Sequence, residues 1–188
     1  MVLSPARQMT VEEFDQWVEL PENDDKLFEF IGGEIVEVPS NPHASNVASR
    51  INRRFGNFVE ERDLGYITDG QGGYMVNGER YAPDVAFISK TRQPYLALRG
   101  YNPIPPDLAV EVDFPSTLKS QRDMRAKIIN YLLVGTVVWL VLPETREVEV
   151  YVPGQPVKHL TEDDTLDGGA VLPGFTLAVK DIFPPQAQ

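Results

Sequence analysis

The sequence predicts an α+β protein with a central mixed β-sheet flanked by helices. Two observations support this prediction. Segments with helical and strand periodicity follow one another in mixed order, as helix, hairpin, helix, strands, helix and strands, which is typical of helices packed on one sheet. The 188 residues, 42% of them hydrophobic, are enough for a single core. We therefore expect residues 1–188 to form one domain.

The first elements are a short helix and a β-hairpin. Thr10 followed by Glu13 is a capping-box pattern, and the helix should continue to about Leu20. Residues 28–38 then place hydrophobic side chains on both sides of Gly32-Gly33. Two consecutive glycines between short hydrophobic runs indicate a two-residue hairpin turn.

The middle of the chain is predicted to hold a helix, a β region and a long loop. In residues 44–62, the spacing of Val47, Ile51 and Phe55 puts them on one face of a helix. A glycine-rich stretch with strand periodicity follows. Residues 89–107 are rich in proline, so we expect them to form a loop.

A strand and a helix are expected next. Residues 106–114 read PDLAVEVDF, a hydrophobic segment typical of a strand. Either Ser116 or Thr117 can cap a helix over residues 118–134, and Gly135 should end it.

The C-terminal part is predicted to contain two further strands and short β segments. The strands read VVWLVLP and EVEVYVPG, and Glu144-Thr145-Arg146 joins them tightly. Short β segments follow, and the last residues, DIFPPQAQ, are expected to fray.

No segment predicts a membrane span or a secretion signal. The most hydrophobic stretch, residues 128–142, is interrupted by Asn130 and Gly135 and falls short of the roughly 20 residues that a spanning helix needs. It is predicted to be a buried helix followed by a buried strand. The first ten residues lack the apolar run of a signal peptide. We expect a cytoplasmic protein that does not bind membranes.

Charge and residue types limit the binding chemistry. The net charge of −11 argues against a nucleic-acid binder with a broad basic surface. The chain has no cysteine and two histidines, so a metal would be held mainly by oxygen, which favours Mg²⁺ or Mn²⁺ over Zn²⁺. Two basic segments form either a local basic face or ordinary solvated helix faces. They are Arg50, Arg53 and Arg54, and then Lys119, Arg122, Arg125 and Lys127.

Two acidic residues have strongly hydrophobic sequence neighbours. Asp84 opens the run of residues 85–88, and Glu111 lies between two valines. A buried, unpaired carboxylate costs several kcal/mol, so Glu111 needs a partner. Strand alternation puts Glu111 and Asp113 on the same face. Two alternatives stay open: Asp84 as a turn residue that opens a strand, and Glu111 on a solvent-exposed face of an edge strand.

The helix that follows carries the candidate partner. Asp123, Lys127 and Tyr131 are spaced by four residues, so they share one helix face. Two isoleucines follow Lys127 directly, which indicates burial, and its ammonium then needs a carboxylate such as Glu111. The alternative is an ordinary surface ion pair between Asp123 and Lys127.

Asp84, Glu111 and Lys127 together form a coherent catalytic set. The two carboxylates, the Val112 carbonyl and water could hold a Mg²⁺ or Mn²⁺ ion, which acidifies a bound water and neutralises phosphoryl charge. Lys127 would position that water and stabilise the pentavalent state.

Four further residues are secondary candidates. Glu29 alternates with two phenylalanines in the predicted hairpin, and His43 precedes the second helix as a possible base or a polar cap. Asp113 and Tyr131 share faces with Glu111 and Lys127, respectively.

The order and spacing of these segments resemble the Uma2 family, also called DUF820, of the PD-(D/E)xK nuclease superfamily. The resemblance covers nearly the whole chain. It rests on FEFIGGEIVEV, His43, APDVAFI, PDLAVEV, Asp123, Lys127, Tyr131, Gly135, VVWLVLP, VEVYVPG and LPGFTLAVKDIF. The resemblance implies a restriction-endonuclease-like fold.

The resemblance also implies roles for individual residues. Asp84 would be the aspartate of the superfamily motif and Glu111 its acidic residue. The usual lysine position holds Asp113, so Lys127 on the following helix would supply the lysine. The chain departs from the family at Phe114, where serine is common, and at the first hairpin glycine, where aspartate is common.

Two functions fit these observations. The first is a metal-dependent endonuclease that hydrolyses DNA phosphodiester bonds, and the resemblance makes a homodimer plausible. The second is a non-catalytic nuclease-fold protein that binds nucleic acid or a protein partner. The acid–acid–lysine set favours the first, and the net charge favours the second.

Overall fold

The computed structural model describes residues 9–23, 26–38, 41–115 and 117–185. It confirms the α+β class, with a central mixed sheet and flanking helices. The helices are α1 (Val11–Val18), α2 (Pro42–Glu61) and α3 (Leu118–Leu133). The strands are β1 (Phe28–Ile31), β2 (Glu34–Glu37), β3 (Gly65–Asp69), β4 (Tyr74–Val76), β5 (Glu79–Tyr81), β6 (Val85–Ser89), β7 (Leu108–Val112), β8 (Val137–Leu142), β9 (Glu147–Tyr151), β10 (Lys158–Leu160), β11 (Thr165–Asp167) and β12 (Thr176–Ala178).

These strands form three sheets within the described residues, where one sheet was expected. The central sheet has the order β10-β9-β8-β7-β6-β3, and only its β7–β8 pair is parallel. A second, antiparallel sheet has the order β2-β1-β5-β4, and β11 pairs with β12. Pro83 lies between β5 and β6 and has no N–H to continue a ladder. The β region before residue 89 is divided between two sheets, and Pro83 marks the return from the second sheet to the central one.

Strand β7 lies inside the central sheet, and its two faces differ as predicted. Leu108, Val110 and Val112 belong to the larger core, together with the hydrophobic side chains of α2. Ala109 faces the opposite way, into a core shared with Ile128 and other residues of α3. Glu111 has the same strand parity as Ala109, so it points toward α3.

The second helix begins two residues earlier than predicted. The Asn41 side chain caps α2 by accepting hydrogen bonds from the backbone N–H groups of His43 and Ala44, at 2.9 and 3.3 Å. Pro42 suits this first turn, because its missing N–H is not needed there. The prediction that His43 precedes the helix is therefore wrong: His43 is part of its first turn.

Most of the other predicted boundaries are confirmed. Ile31 pairs with Glu34 across Gly32 and Gly33, both of which have positive φ. Thr117 caps α3, while the alternative cap, Ser116, lies outside the described residues. No helix among the described residues is long and apolar enough to cross a membrane.

The expected fraying of the C-terminal segment is wrong for its first part. Ile182 and Phe183 are buried and pack into the larger core, because two large apolar side chains gain more from burial than they lose in conformational freedom. Residues 186–188 lie outside the described part of the chain.

Candidate active site

Lys127 lies between two buried carboxylates. Its Nζ donates hydrogen bonds to Glu111 Oε2 at 2.9 Å and to Glu29 Oε1 at 2.8 Å. The side chains of Lys127, Glu29 and Glu111 are 6%, 8% and 4% exposed. The predicted contact between Lys127 and Glu111 is thus confirmed. We call these three side chains, with Tyr131, the buried cluster.

Glu111 has both carboxylate oxygens hydrogen-bonded. Oε2 accepts from Lys127, and Oε1 accepts from the hydroxyl of Tyr131 at 3.1 Å. The alternative that this face is exposed on an edge strand is wrong, because β7 has a neighbour on each side and α3 covers the face. The helical spacing of Lys127 and Tyr131 brings both to the same carboxylate.

Glu29 reaches the buried cluster from the second sheet. It lies on β1, and its Oε1 also accepts a hydrogen bond from the backbone N–H of Ala82 at 2.8 Å. Lys127 and Glu29 are 98 positions apart in the sequence. The alternation of Glu29 with two phenylalanines indicated a special position, but no sequence pattern linked it to Lys127.

Asp84 lies at the edge of the buried cluster, just before β6. Its Oδ2 accepts a hydrogen bond from the backbone N–H of Val112 at 2.8 Å. Val85 pairs with Val110, so the antiparallel register extended by one residue places Asp84 opposite Glu111 on the same face. A separation of their carboxylates within about 6 Å, as one shared cation needs, stays a prediction.

Asp123 does not pair with Lys127, so the alternative of a surface ion pair between them is wrong. Its carboxylate instead contacts Lys119 Nζ at 2.6 Å and Arg122 Nη2 at 3.3 Å. Lys119 also contacts Glu34 at 3.0 Å. This part of the second basic segment is therefore already paired with acids.

Two secondary candidates lie further from the buried cluster. Asp113 follows β7 and is half-buried, and its pKa is raised mainly by burial. His43 is exposed, and its ring contacts Phe114 edge-on at 5.6 Å between centroids. Among the described residues, neither side chain forms a hydrogen bond or an ion pair with the buried cluster.

Burial and like charges raise the pKa values of Glu111 and Asp84. Burial raises the pKa of Glu111 to about 8, and Glu29 and Asp84 add to this against the attraction of Lys127. Burial also raises the pKa of Asp84. For Lys127, burial acts to lower the pKa, but its attraction to Glu111 and Glu29 outweighs burial and raises it. Lys127 therefore stays an ammonium, and a cation that binds Glu111 would displace a proton.

A groove of about 680 Å³ opens beside Asp84. The N-terminal half of α2 forms one wall, and residues of the β1–β2 hairpin and of the turn after β3 form others. Asp84 is the member of the predicted set that lines this groove, while Glu111 and Lys127 are buried behind it. The groove therefore leads from solvent to Asp84.

The structure thus combines an α+β fold with a buried acid–lysine cluster. The sequence model of the Uma2 family, described as "putative restriction endonuclease", matches residues 11–180, and the chain belongs to this family. No curated protein matches the chain.

A solved structure supports the same fold. It is a protein from Anabaena variabilis described as a "putative nuclease belonging to DUF820". It matches with a TM-score of 0.77 and 22% sequence identity, over 93% of this chain and 97% of that one. At this identity the likeness shows the fold alone, and it confirms the restriction-endonuclease-like class.

Proposed function

We propose that this protein is a metal-dependent endonuclease that hydrolyses DNA phosphodiester bonds at Asp84, Glu111 and Lys127. The observation that carries the proposal is the 2.9 Å hydrogen bond between Lys127 Nζ and Glu111 Oε2, next to Asp84 at the groove. A buried ammonium and two acids at one strand end form a charge arrangement suited to phosphoryl transfer.

The residues fit a hard divalent cation. Within the described ranges, no three His, Cys, Asp or Glu side chains are grouped to hold a metal, but Mg²⁺ is commonly bound by one or two carboxylates and several waters. Asp84 and Glu111 would hold it, with the Val112 carbonyl as a third oxygen. When bound, Mg²⁺ or Mn²⁺ would polarise a phosphoryl oxygen and acidify a water.

Lys127 would act through its charge. An ammonium has three N–H donors, and Glu29 and Glu111 take two of them. The described residues offer no hydrogen-bond partner for the third. Because its pKa is raised, Lys127 cannot accept a proton at neutral pH, so its proposed role is to orient water and stabilise negative charge. Glu29 would hold the ammonium in place.

The test is cleavage of plasmid DNA with Mg²⁺ or Mn²⁺, compared with chelator. We expect the wild type to cut, and Glu111→Gln to lose at least about a hundredfold in rate, as for the loss of one group that stabilises the transition state. Glu60→Gln is the matched control, because Glu60 is exposed on α2 and outside the groove. Equal rates for wild type and Glu111→Gln would rule out the proposed site.

The second candidate is a non-catalytic protein that binds nucleic acid or a protein partner. The observation in its favour is that Lys127 already pairs with both Glu29 and Glu111 without a metal. Wild-type protein that binds DNA but never cuts it, with either metal, would support this role. A cytoplasmic location and a homodimer stay predictions from the sequence.

A further inference from the structure

One wall of the groove comes from α2 and carries three uncharged, polar side chains among small apolar ones. Ser45, Ser49 and Asn52 lie on α2 at positions i, i+4 and i+7, and all three line the groove. This spacing puts them on one helix face. No residue in the described part of the chain forms a hydrogen bond with their side chains. Their hydroxyl and amide groups are thus free to bind a ligand.

The charged residues of the groove disfavour phosphate. Three carboxylates line it, from Glu37, Asp69 and Asp84, and one ammonium, from Lys26. Lys26 Nζ already contacts Glu37 Oε2 at 3.5 Å. Away from a cation held at Asp84, these carboxylates would repel phosphates but not the sugar or base of a nucleotide.

Hydroxyl and amide groups both donate and accept hydrogen bonds, as the edges of nucleobases do. A duplex presents charged phosphates on its outside, whereas an unpaired strand can turn its bases toward a protein. The groove therefore suits an unpaired strand better than a duplex.

We propose that the α2 wall, formed by Ser45, Ser49 and Asn52, binds the uncharged parts of a single-stranded nucleic acid. The proposal rests on the proposed nuclease function, which would place the scissile phosphate at Asp84. The bases and sugars beside it lie along α2. Because few phosphates are neutralised by protein cations, binding depends weakly on salt.

A different surface offers the competing mode of binding. Arg53 and Arg54 are exposed on α2, outside the groove, and the described residues give them no ion-pair partner. If these arginines bound the backbone instead, each phosphate contact would steepen the salt dependence. Duplex DNA would then bind at least as well as a single strand.

The test measures fluorescence anisotropy of a labelled oligodeoxynucleotide, single-stranded and as a duplex, with millimolar Mg²⁺. Glu111→Gln serves as the parent, so that cleavage does not interfere. We expect the single strand to bind more tightly, with a slope of log K against log salt no steeper than about −1.4, the value for two phosphate contacts. Adding Ser49→Ala and Asn52→Ala should weaken binding about tenfold, the loss of two ordinary hydrogen bonds.

Two matched controls separate the binding modes. Asn57 lies on the same helix outside the groove, so Asn57→Ala should leave binding unchanged. The double variant Arg53→Gln with Arg54→Gln should also leave binding unchanged. Thermal melts would confirm that each variant is folded. A duplex preference, a steep slope in the parent or loss of binding with the arginine variant would each overturn the proposal.

Cleavage by the wild type is scored separately. A wild type that cuts duplex and single strand equally supports the nuclease function but overturns this inference. If the wild type never cuts but the Glu111→Gln parent binds the single strand more tightly than the duplex, the nuclease function is overturned and the proposed binding surface is supported.

Discussion

At the scale of single residues, the buried cluster depends on Lys127. Its ammonium serves two carboxylates that come from different sheets, and all three groups are removed from water. Removing one member of such a group leaves the others without compensation, which costs more than the intact interaction contributes. The role of Lys127 in stability can therefore be measured apart from any role in catalysis.

We expect Lys127→Met to lower the free energy of unfolding by about 3–5 kcal/mol, because Glu29 and Glu111 lose their shared partner. Urea denaturation at neutral pH measures this difference. Lys90→Met is the control, since the Lys90–Asp63 pair is exposed and exposed pairs add little to stability. Similar small losses for both variants would contradict the buried pairing.

The pH dependence of stability should report on Glu111. Burial raises its folded-state pKa to about 8, above the ordinary value of about 4.3. Its contribution to stability is therefore fully present below the unfolded pKa and is lost as the pH rises through about 8. We expect the free energy of unfolding, in metal-free buffer, to fall between about pH 5 and pH 8. The part of the slope that Glu111 causes corresponds to a difference of at most one bound proton between the folded and unfolded states.

Glu111→Gln provides the comparison, because it cannot titrate. Its stability should change less steeply over the same range, although the raised pKa of Asp84 acts in the same direction and will leave part of the slope. Parallel profiles for the wild type and Glu111→Gln would show that another group causes the dependence.

At the scale of elements, α1 and the hairpin hold Glu29 in position. Phe14 of α1 packs on Phe30 of β1, with ring centroids 5.3 Å apart. Asp15 of α1 binds the buried Arg80 of β5 through two hydrogen bonds, at 2.6 and 2.9 Å. The second sheet therefore contacts α1 through Phe30 and Arg80, and it contacts Lys127 of α3 through Glu29.

We expect Asp15→Ala to destabilise the fold by about 1–3 kcal/mol, because a buried guanidinium loses its charged acceptor. The measurement is the midpoint of urea unfolding. Glu12→Ala, an exposed position in the first turn of the same helix, should cost less than about 1 kcal/mol. If both variants behave alike, the Arg80 pair does not hold the second sheet.

At the scale of the whole molecule, cation binding should appear as a change in stability. Mg²⁺ that binds only the folded chain stabilises it by mass action, about 2.7 kcal/mol at a hundred times Kd. We expect the wild-type Tm to rise by several degrees in millimolar Mg²⁺ or Mn²⁺ relative to chelator. A Tm that does not move would favour the non-catalytic alternative.

Two variants locate the cation. Asp84→Asn should lose most of the rise in Tm, because it removes a proposed ligand. Asp69→Asn is the matched control: Asp69 also lines the groove but is not a proposed ligand. A net charge of −11 gives any divalent cation some general effect, and that effect should be equal in both variants. An undiminished shift in Asp84→Asn would put the metal elsewhere.

Local sequence patterns determined much of the fold and the faces of its elements. The capping boxes, the Gly32-Gly33 turn and the alternation around Glu111 all depend on neighbours within a few residues. The same holds for the shared face of Lys127 and Tyr131, which helix geometry alone brings to one carboxylate. Strong hydrophobic neighbours made the burial of Glu111 predictable, and burial in turn required a charged partner.

Only the tertiary structure decided which distant segments meet. Glu29 reaches Lys127 across 98 positions. Strands β4 and β5 leave the sheet that holds β3 and β6, and residues of α2 line one groove with Asp84. Periodicity within a segment specifies which side chains share a face, but not which face of another segment they will contact. That choice depends on packing and charge compensation summed over the whole chain, and these act only once the sheets and helices are assembled.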